Sequence, residues 1–124
     1  MKEEIVNKHV LVSKYFEYMS KHVSDVVIGK VQKFLEINEI ASELCVSHKH
    51  LTDVIQQATG HHPCYFYDQR IIEEAKQMLL VTPDSIVEIA KRLTYDPSNF
   101  SKFFKKMTGQ TPGQFRKLHI KVRD

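Results

Sequence analysis

The feature that most constrains this chain is that one short plan is written in it twice. Glu39-Ile40-Ala41 is echoed by Glu88-Ile89-Ala90, and Ala58-Thr59-Gly60 by Met107-Thr108-Gly109. Each copy is followed by a proline, Pro63 or Pro112, and then an aromatic, Phe66 or Phe115. The period is about fifty residues, and two copies are too few for a solenoid. The pattern therefore predicts a pair of similar subdomains. Ala41 is informative within it, since a small side chain suits a place where two helices cross closely.

The second copy reads most clearly. Ile86, Ile89, Ala90 and Leu93 recur at helical spacing. Ser85 precedes them as a candidate N-cap with Glu88 three residues on, which predicts a capping box. After a break at Thr94-Tyr95-Asp96, a second helix begins with Asp96 as cap and Pro97 at the first helical position. Phe100, Phe103, Phe104 and Met107 form its apolar stripe, and Gly109 ends it. Its other face carries Ser98, Asn99, Ser101, Lys102, Lys105 and Lys106. Two short helices, a tight turn and a polar, basic outer face are how a helix-turn-helix presents one helix to the major groove.

These residues resemble the DNA-binding domain of the AraC/XylS family of bacterial transcription regulators. The resemblance rests on Ser85-Ile86, Glu88-Ile89-Ala90, Asp96-Pro97-Ser98, Phe100-Ser101-Lys102, Phe104-Lys105-Lys106, Gly109, Thr111-Pro112 and Phe115-Arg116. A weaker first half extends it to residues 25–118. It implies an all-α, homeodomain-like fold in which two helix-turn-helix subdomains, 37–60 and 85–109, are joined by a linker helix over 63–81. A C-terminal helix over 112–120 closes a DNA-binding domain spanning 25–122, with an N-terminal amphipathic helix or extension over 1–28. It further implies two recognition helices in successive major grooves, roughly 34 Å apart on one face of the DNA. Double-stranded DNA, RNA polymerase and an N-terminal sensory or dimerisation domain are the implied partners. A bacterial, cytoplasmic activator without a cofactor is the implied context.

Composition agrees with an all-α reading. Gly and Pro number four each among 124 residues, and no run alternates polar and apolar for long. No apolar stretch reaches the length of about 18 residues that a membrane span needs. Met1-Lys2-Glu3-Glu4 does not read as a signal peptide, so no membrane partner is expected. Cys45 and Cys64 sit beside apolar or aromatic residues and read as small buried hydrophobes rather than a disulfide or metal pair. The net charge of +3 hides an asymmetry: residues 97–124 carry seven cations and one anion, a formal +6, which leaves −3 on residues 1–96. A basic half on an acidic body suits an anionic partner for that half.

Elsewhere, Leu11, Tyr15, Phe16, Met19, Val23, Val26 and Val27 recur at three- and four-residue spacing, predicting one long helix that ends at Gly29. It either packs on the domain or makes a dimer contact. In the first copy, Asn38 or Glu36 caps a helix bearing Ile40, Ala41 and Leu44, and Cys45-Val46-Ser47 makes the turn. Ser47 caps the next helix, with Leu51, Val54 and Ile55 inward. In the linker helix Phe66, Ile71, Ala75, Met78 and Leu79 face inward, with Arg70, Glu73, Glu74 and Lys76 on the wetter side. Lys117, Lys121 and Arg123 form a basic tail.

No residue set supports catalysis, since no nucleophile sits in a Gly-rich or nucleophile-elbow context. His48 and His50 are two apart on a helix and point in different directions, and His61-His62 fall at a helix end, so no metal site is expected. The expected chemistry is recognition. On the second module the outward arc is Ser98, Asn99, Lys102 and Lys106: Asn can bond adenine bidentately and Lys can reach guanine O6 and N7. Lys105 and Lys106 are expected at phosphates. On the first, the outward arc is His48, Lys49, Thr52, Asp53 and Gln56. The resemblance singles out Lys49, Thr52, Asp53, Asn99 and Lys102 as DNA contacts. Helix starts near Ser47 and Ser98 also offer N–H groups to phosphate.

Three features depart from the family pattern. Asp53 stands where the family often has arginine. Residues 34–60 carry Glu36, Glu39, Glu43 and Asp53 against Lys49, a formal −3. The second turn, Thr94-Tyr95-Asp96-Pro97, is one residue shorter than the family pattern and lacks its glycine. The second module is therefore expected to supply most of the affinity, and the first discrimination or little. The alternative is a helix-turn-helix-derived protein-interaction module with weak or no DNA binding.

Overall fold

Every helix of the repeat begins at a residue whose side chain can accept a backbone N–H, and the helices lie where those caps put them. The computed structural model describes the backbone from Lys2 to Arg123 and side chains from residue 8 to residue 119. The described helices are α1 (Lys2–Val27), α2 (Ile37–Glu43), α3 (His48–Thr59), α4 (Pro63–Val81), α5 (Ile86–Arg92), α6 (Pro97–Thr108) and α7 (Pro112–Arg123), with no strand among the described residues. The last helix runs past the expected 120, and Lys121 and Arg123 of the expected basic tail lie outside the described side chains.

Ser47 Oγ accepts from the His50 N–H at 3.0 Å and Asp96 Oδ2 from Ser98 and Asn99 at 3.1 and 3.2 Å. Of the two candidates ahead of α2, Glu36 is the cap, and its own N–H donates to Glu39 Oε1 at 3.0 Å. Ser85 Oγ accepts from the Glu88 N–H at 3.1 Å, which is half of the box expected there. A full reciprocal box forms instead at α7, between Thr111 and Gln114.

The two helix-turn-helix copies repeat the same turn and helix-end hydrogen bonds at an offset of 49 residues. Cys45 and Thr94 hold the left-handed position of each turn, at φ 62° and 61°. Val46 donates to Ala41 O at 3.0 Å, as Tyr95 does to Ala90 O at 2.9 Å. Thr59 and Thr108 hydroxyls donate back to Ile55 O and Phe104 O, and Gly60 and Gly109 close the helices at φ 83° and 84°. The short second turn thus has the first turn's geometry. It reaches it with a β-branched residue in a region that ordinarily favours glycine. That position also corrects the reading of Cys45: its side chain points outward, and the residue is exposed.

Each copy packs its own core. Ile37, Ile40, Ala41, Leu51, Val54 and Ile55 meet the α1 stripe of Leu11, Tyr15, Met19 and Val23. Ile89, Ala90, Leu93, Phe100 and Phe104 meet Phe115 of α7. Phe103 and Met107, expected inside, are only partly buried. The linker helix belongs to both: Tyr67 and Ile71 join the first core, and Ile72, Ala75, Met78 and Leu79 the second. Its two halves are therefore fixed to different modules, which makes a stiff connector of 19 residues.

Longer-range bonds complete the repeat. Tyr67 OH donates to Leu35 O, just ahead of the first copy, at 2.7 Å. At the matching position of the second copy, Arg116 donates from Nε to Leu79 O at 3.0 Å and from Nη2 to Thr82 O at 3.2 Å. Leu35 is held from both sides, because its N–H donates to Nε2 of the buried His22 at 2.9 Å. That histidine, unanticipated in the core, lies among Tyr18, Phe34 and Tyr67.

Candidate nucleic-acid interface

Because Leu51, Val54 and Ile55 of α3 and Phe100 and Phe104 of α6 are buried, helix geometry turns the intervening residues outward. On α3, Lys49, Asp53 and Gln56 are exposed and Thr52 is half-buried. On α6, Ser98, Asn99, Lys102, Lys105 and Lys106 are all exposed. The sequence-predicted residues thus form two arcs, one on each module, each starting at a capped helix end.

The arcs differ in charge. Lys49 Nζ lies 3.1 Å from Asp53 Oδ2 one turn on, with both side chains open to solvent. The pair cancels the only cation of α3. Helix α6 contains three lysines and no acid. Among the described ion pairs none involves Lys102 or Lys105. Lys106 is in none of them either, although its charge partly offsets the rise that burial gives the Asp68 carboxyl of α4.

Two expected contributions are placed elsewhere. Arg116, counted with the basic half, spends its guanidinium on the carbonyls of Leu79 and Thr82. The N–H groups at the start of α6 are taken by the Asp96 carboxylate, so that end offers no opening to a phosphate. At α3 the Ser47 hydroxyl takes only the His50 N–H and adds no charge.

Among the described residues no group of three or more His, Cys, Asp or Glu is placed to hold a metal ion. His48 and His62 approach with ring centroids 6.5 Å apart, while His61 stacks on Tyr65 at 4.1 Å. No helix among the described residues is long and apolar enough to cross a membrane.

The family model described as a helix-turn-helix domain matches residues 40–118. The chain is 28% identical over 101 residues to the arabinose operon regulatory protein of Salmonella typhimurium, covering 81% of this chain and 34% of that protein. It is 29% identical over 89 residues to the HTH-type transcriptional regulator ArgR of Pseudomonas aeruginosa, 71% of this chain and 27% of that one. The chain thus spans about a third of the length of the curated relatives it matches. Among solved structures, the C-terminal domain of AraT, a response regulator from Geobacillus stearothermophilus, superposes with a TM-score of 0.75 at 33% identity, covering 87% of this chain and 84% of that one. The DNA-binding domain of AdpA, solved with a target DNA, has the same fold, with a TM-score of 0.75 at 16% identity over 90% of this chain and 95% of that one. With both helix-turn-helix units, the linker helix and the signature residues in place, the chain belongs to the AraC/XylS family as its helix-turn-helix DNA-binding domain.

Proposed function

We propose that the chain reads double-stranded DNA with two recognition helices in successive major grooves, and that α6 supplies most of the affinity. The observation that carries this reading is the contrast between an α6 with exposed Asn99, Lys102 and Lys105 and no acid, and an α3 whose one lysine is paired. In this reading Lys102, Lys105 and Lys106 meet phosphates or guanine, and Ser98 and Asn99 lie against base edges. Lys49, Thr52, Asp53 and Gln56 form the weaker arc of α3. The stiff α4 fixes the spacing between the arcs, which suits a site whose halves lie about one helical turn, roughly 34 Å, apart.

The DNA-binding domain runs over 25–122, with residues 1–28 as an N-terminal helix that is also part of the first module's core. Because the relatives are about three times longer, a sensory or dimerisation domain outside this chain is the natural partner, and RNA polymerase the target of a cytoplasmic activator. The reading assigns no catalytic step and no cofactor.

The second reading, a protein-interaction module, draws on the Lys49–Asp53 pairing and the acidic first module. Selection of bound duplexes from a random pool at two salt concentrations separates the two. Two enriched blocks about one turn apart, with affinity falling steeply as salt rises, are expected. An absence of both enrichment and salt-sensitive binding would favour the interaction module.

A further inference from the structure

The pair on α3 has a chemistry that the balance of charge does not exhaust. Lys49 Nζ and Asp53 Oδ2 are 3.1 Å apart on the solvent-facing arc of a recognition helix, so a donor and an acceptor stand side by side. The matching positions of the second module are Ser98 and Lys102, which carry no acid. A carboxylate on a DNA-facing arc is repelled by every phosphate it passes. Its only good partners in the major groove are the base amino groups, cytosine N4 above all. Lysine's preferred base partners are guanine O6 and N7. In one C·G pair these lie next to each other in the major groove: an amino donor on the cytosine and acceptors on the guanine. Asp53 uses one carboxylate oxygen on Lys49, and the other is left for the cytosine amino group.

We infer that Lys49 and Asp53 act together as the specificity-determining element of α3, reading a single C·G base pair through Asp53 to cytosine N4 and Lys49 to guanine. The inference rests on the proposed DNA-binding reading and names what its weaker arc recognises. Asp53 then works in two directions. It rewards one base pair and weakens binding everywhere else, because Lys49 is no longer a free cation for phosphate.

The test is selection from a random duplex pool with the wild-type chain and with Asp53→Asn, Lys49→Met and the charge-exchanged double variant Lys49→Asp/Asp53→Lys. Both positions are solvent-exposed, and circular dichroism is used to check that each variant folds. In the block read by α3, the wild type is expected to show a C·G preference of roughly five- to a hundredfold at one position. Asp53→Asn removes the carboxylate but leaves Lys49 its guanine contact, so it is expected to weaken that preference several-fold while raising affinity for unrelated DNA, with a steeper salt dependence. The exchanged variant keeps an ion pair along the helix but inverts donor and acceptor, so it is expected to lose the C·G preference. A purely structural pair would leave that preference intact in the exchanged variant, and that result overturns the inference. So does selection of another base pair at this position by the wild type, or an undiminished C·G preference in Asp53→Asn. If the wild type enriches no sequence at all, the DNA-binding reading fails first and takes the inference with it.

Discussion

The two modules share the geometry of their turns and helix ends and differ on their outer faces. Residue by residue, caps, left-handed turn positions, threonine hydroxyl bonds and closing glycines coincide. On the outer faces, Lys49 and Asp53 of the first module neutralise each other, whereas the matching Ser98 and Lys102 leave the second with uncompensated positive charge. The backbone is dictated by positions that face inward or carry a cap, and the repeat conserves those. The exposed positions are free of that constraint, so the two copies can divide affinity and discrimination between them.

The comparison can be sharpened at the carbonyl ties that hold each copy to the segment before it. Arg116→Ala is expected to cost on the order of 2 kcal/mol, because two charged hydrogen bonds are lost and the Leu79 and Thr82 carbonyls are left without this donor. Tyr67→Phe removes one neutral bond to Leu35 and is expected to cost about 1 kcal/mol. Urea titration of both variants checks the order; equal losses would mean the ties are not equivalent in the way the repeat suggests.

Protonation separates the modules next, since among the described residues only the first holds a buried histidine. Burial pushes the His22 imidazole below its ordinary value, while Asp25 and Glu39 pull it back up. The unfolded chain therefore takes up the proton first as pH falls through about 6.5. His22's contribution is full above that value and is lost below it, at no more than about 1.4 kcal/mol per pH unit. The protonated ring also ceases to accept from the Leu35 N–H. Denaturation at pH values on either side is expected to show a steeper loss for the wild type than for His22→Gln. Parallel curves would remove His22 from the account.

The turns offer the smallest test. Thr94 and Cys45 occupy the same left-handed position, but only Thr94 is β-branched. Thr94→Gly is expected to stabilise by about 1 kcal/mol and Cys45→Gly by less, measured as a rise in Tm. A destabilised Thr94→Gly would mean the threonine side chain contributes more than its backbone strain costs.

Much of this was legible in the sequence because the signals are local. Ser47 and Asp96 mark helix starts through bonds spanning two or three residues, Pro63 and Pro97 through their fixed φ at the first helical position, and the stripes of α1, α3 and α6 follow from spacing alone. What was not legible depends on distant partners. His22 reads as a polar residue on an amphipathic helix until Leu35 is brought to it. Arg116 reads as one of seven cations until α7 lays it against the end of α4. The apolar neighbours of Cys45 suggest burial, but the left-handed turn position leaves it exposed. The offset of 49 residues was itself a usable signal: aligning Cys45 with Thr94 places both at the turn and accounts for the missing residue.

The most direct test of unequal modules is the affinity and salt dependence of Lys49→Ala and Lys102→Ala on a duplex that keeps the block read by α6 but lacks the C·G pair assigned to α3. Lys102→Ala is expected to weaken binding about tenfold and to lower the salt slope by about one, as loss of a phosphate or guanine contact should. Lys49→Ala is expected to leave overall affinity within about threefold, since Asp53 already offsets that charge. A larger loss for Lys49→Ala than for Lys102→Ala would contradict the account and make the first module the principal anchor.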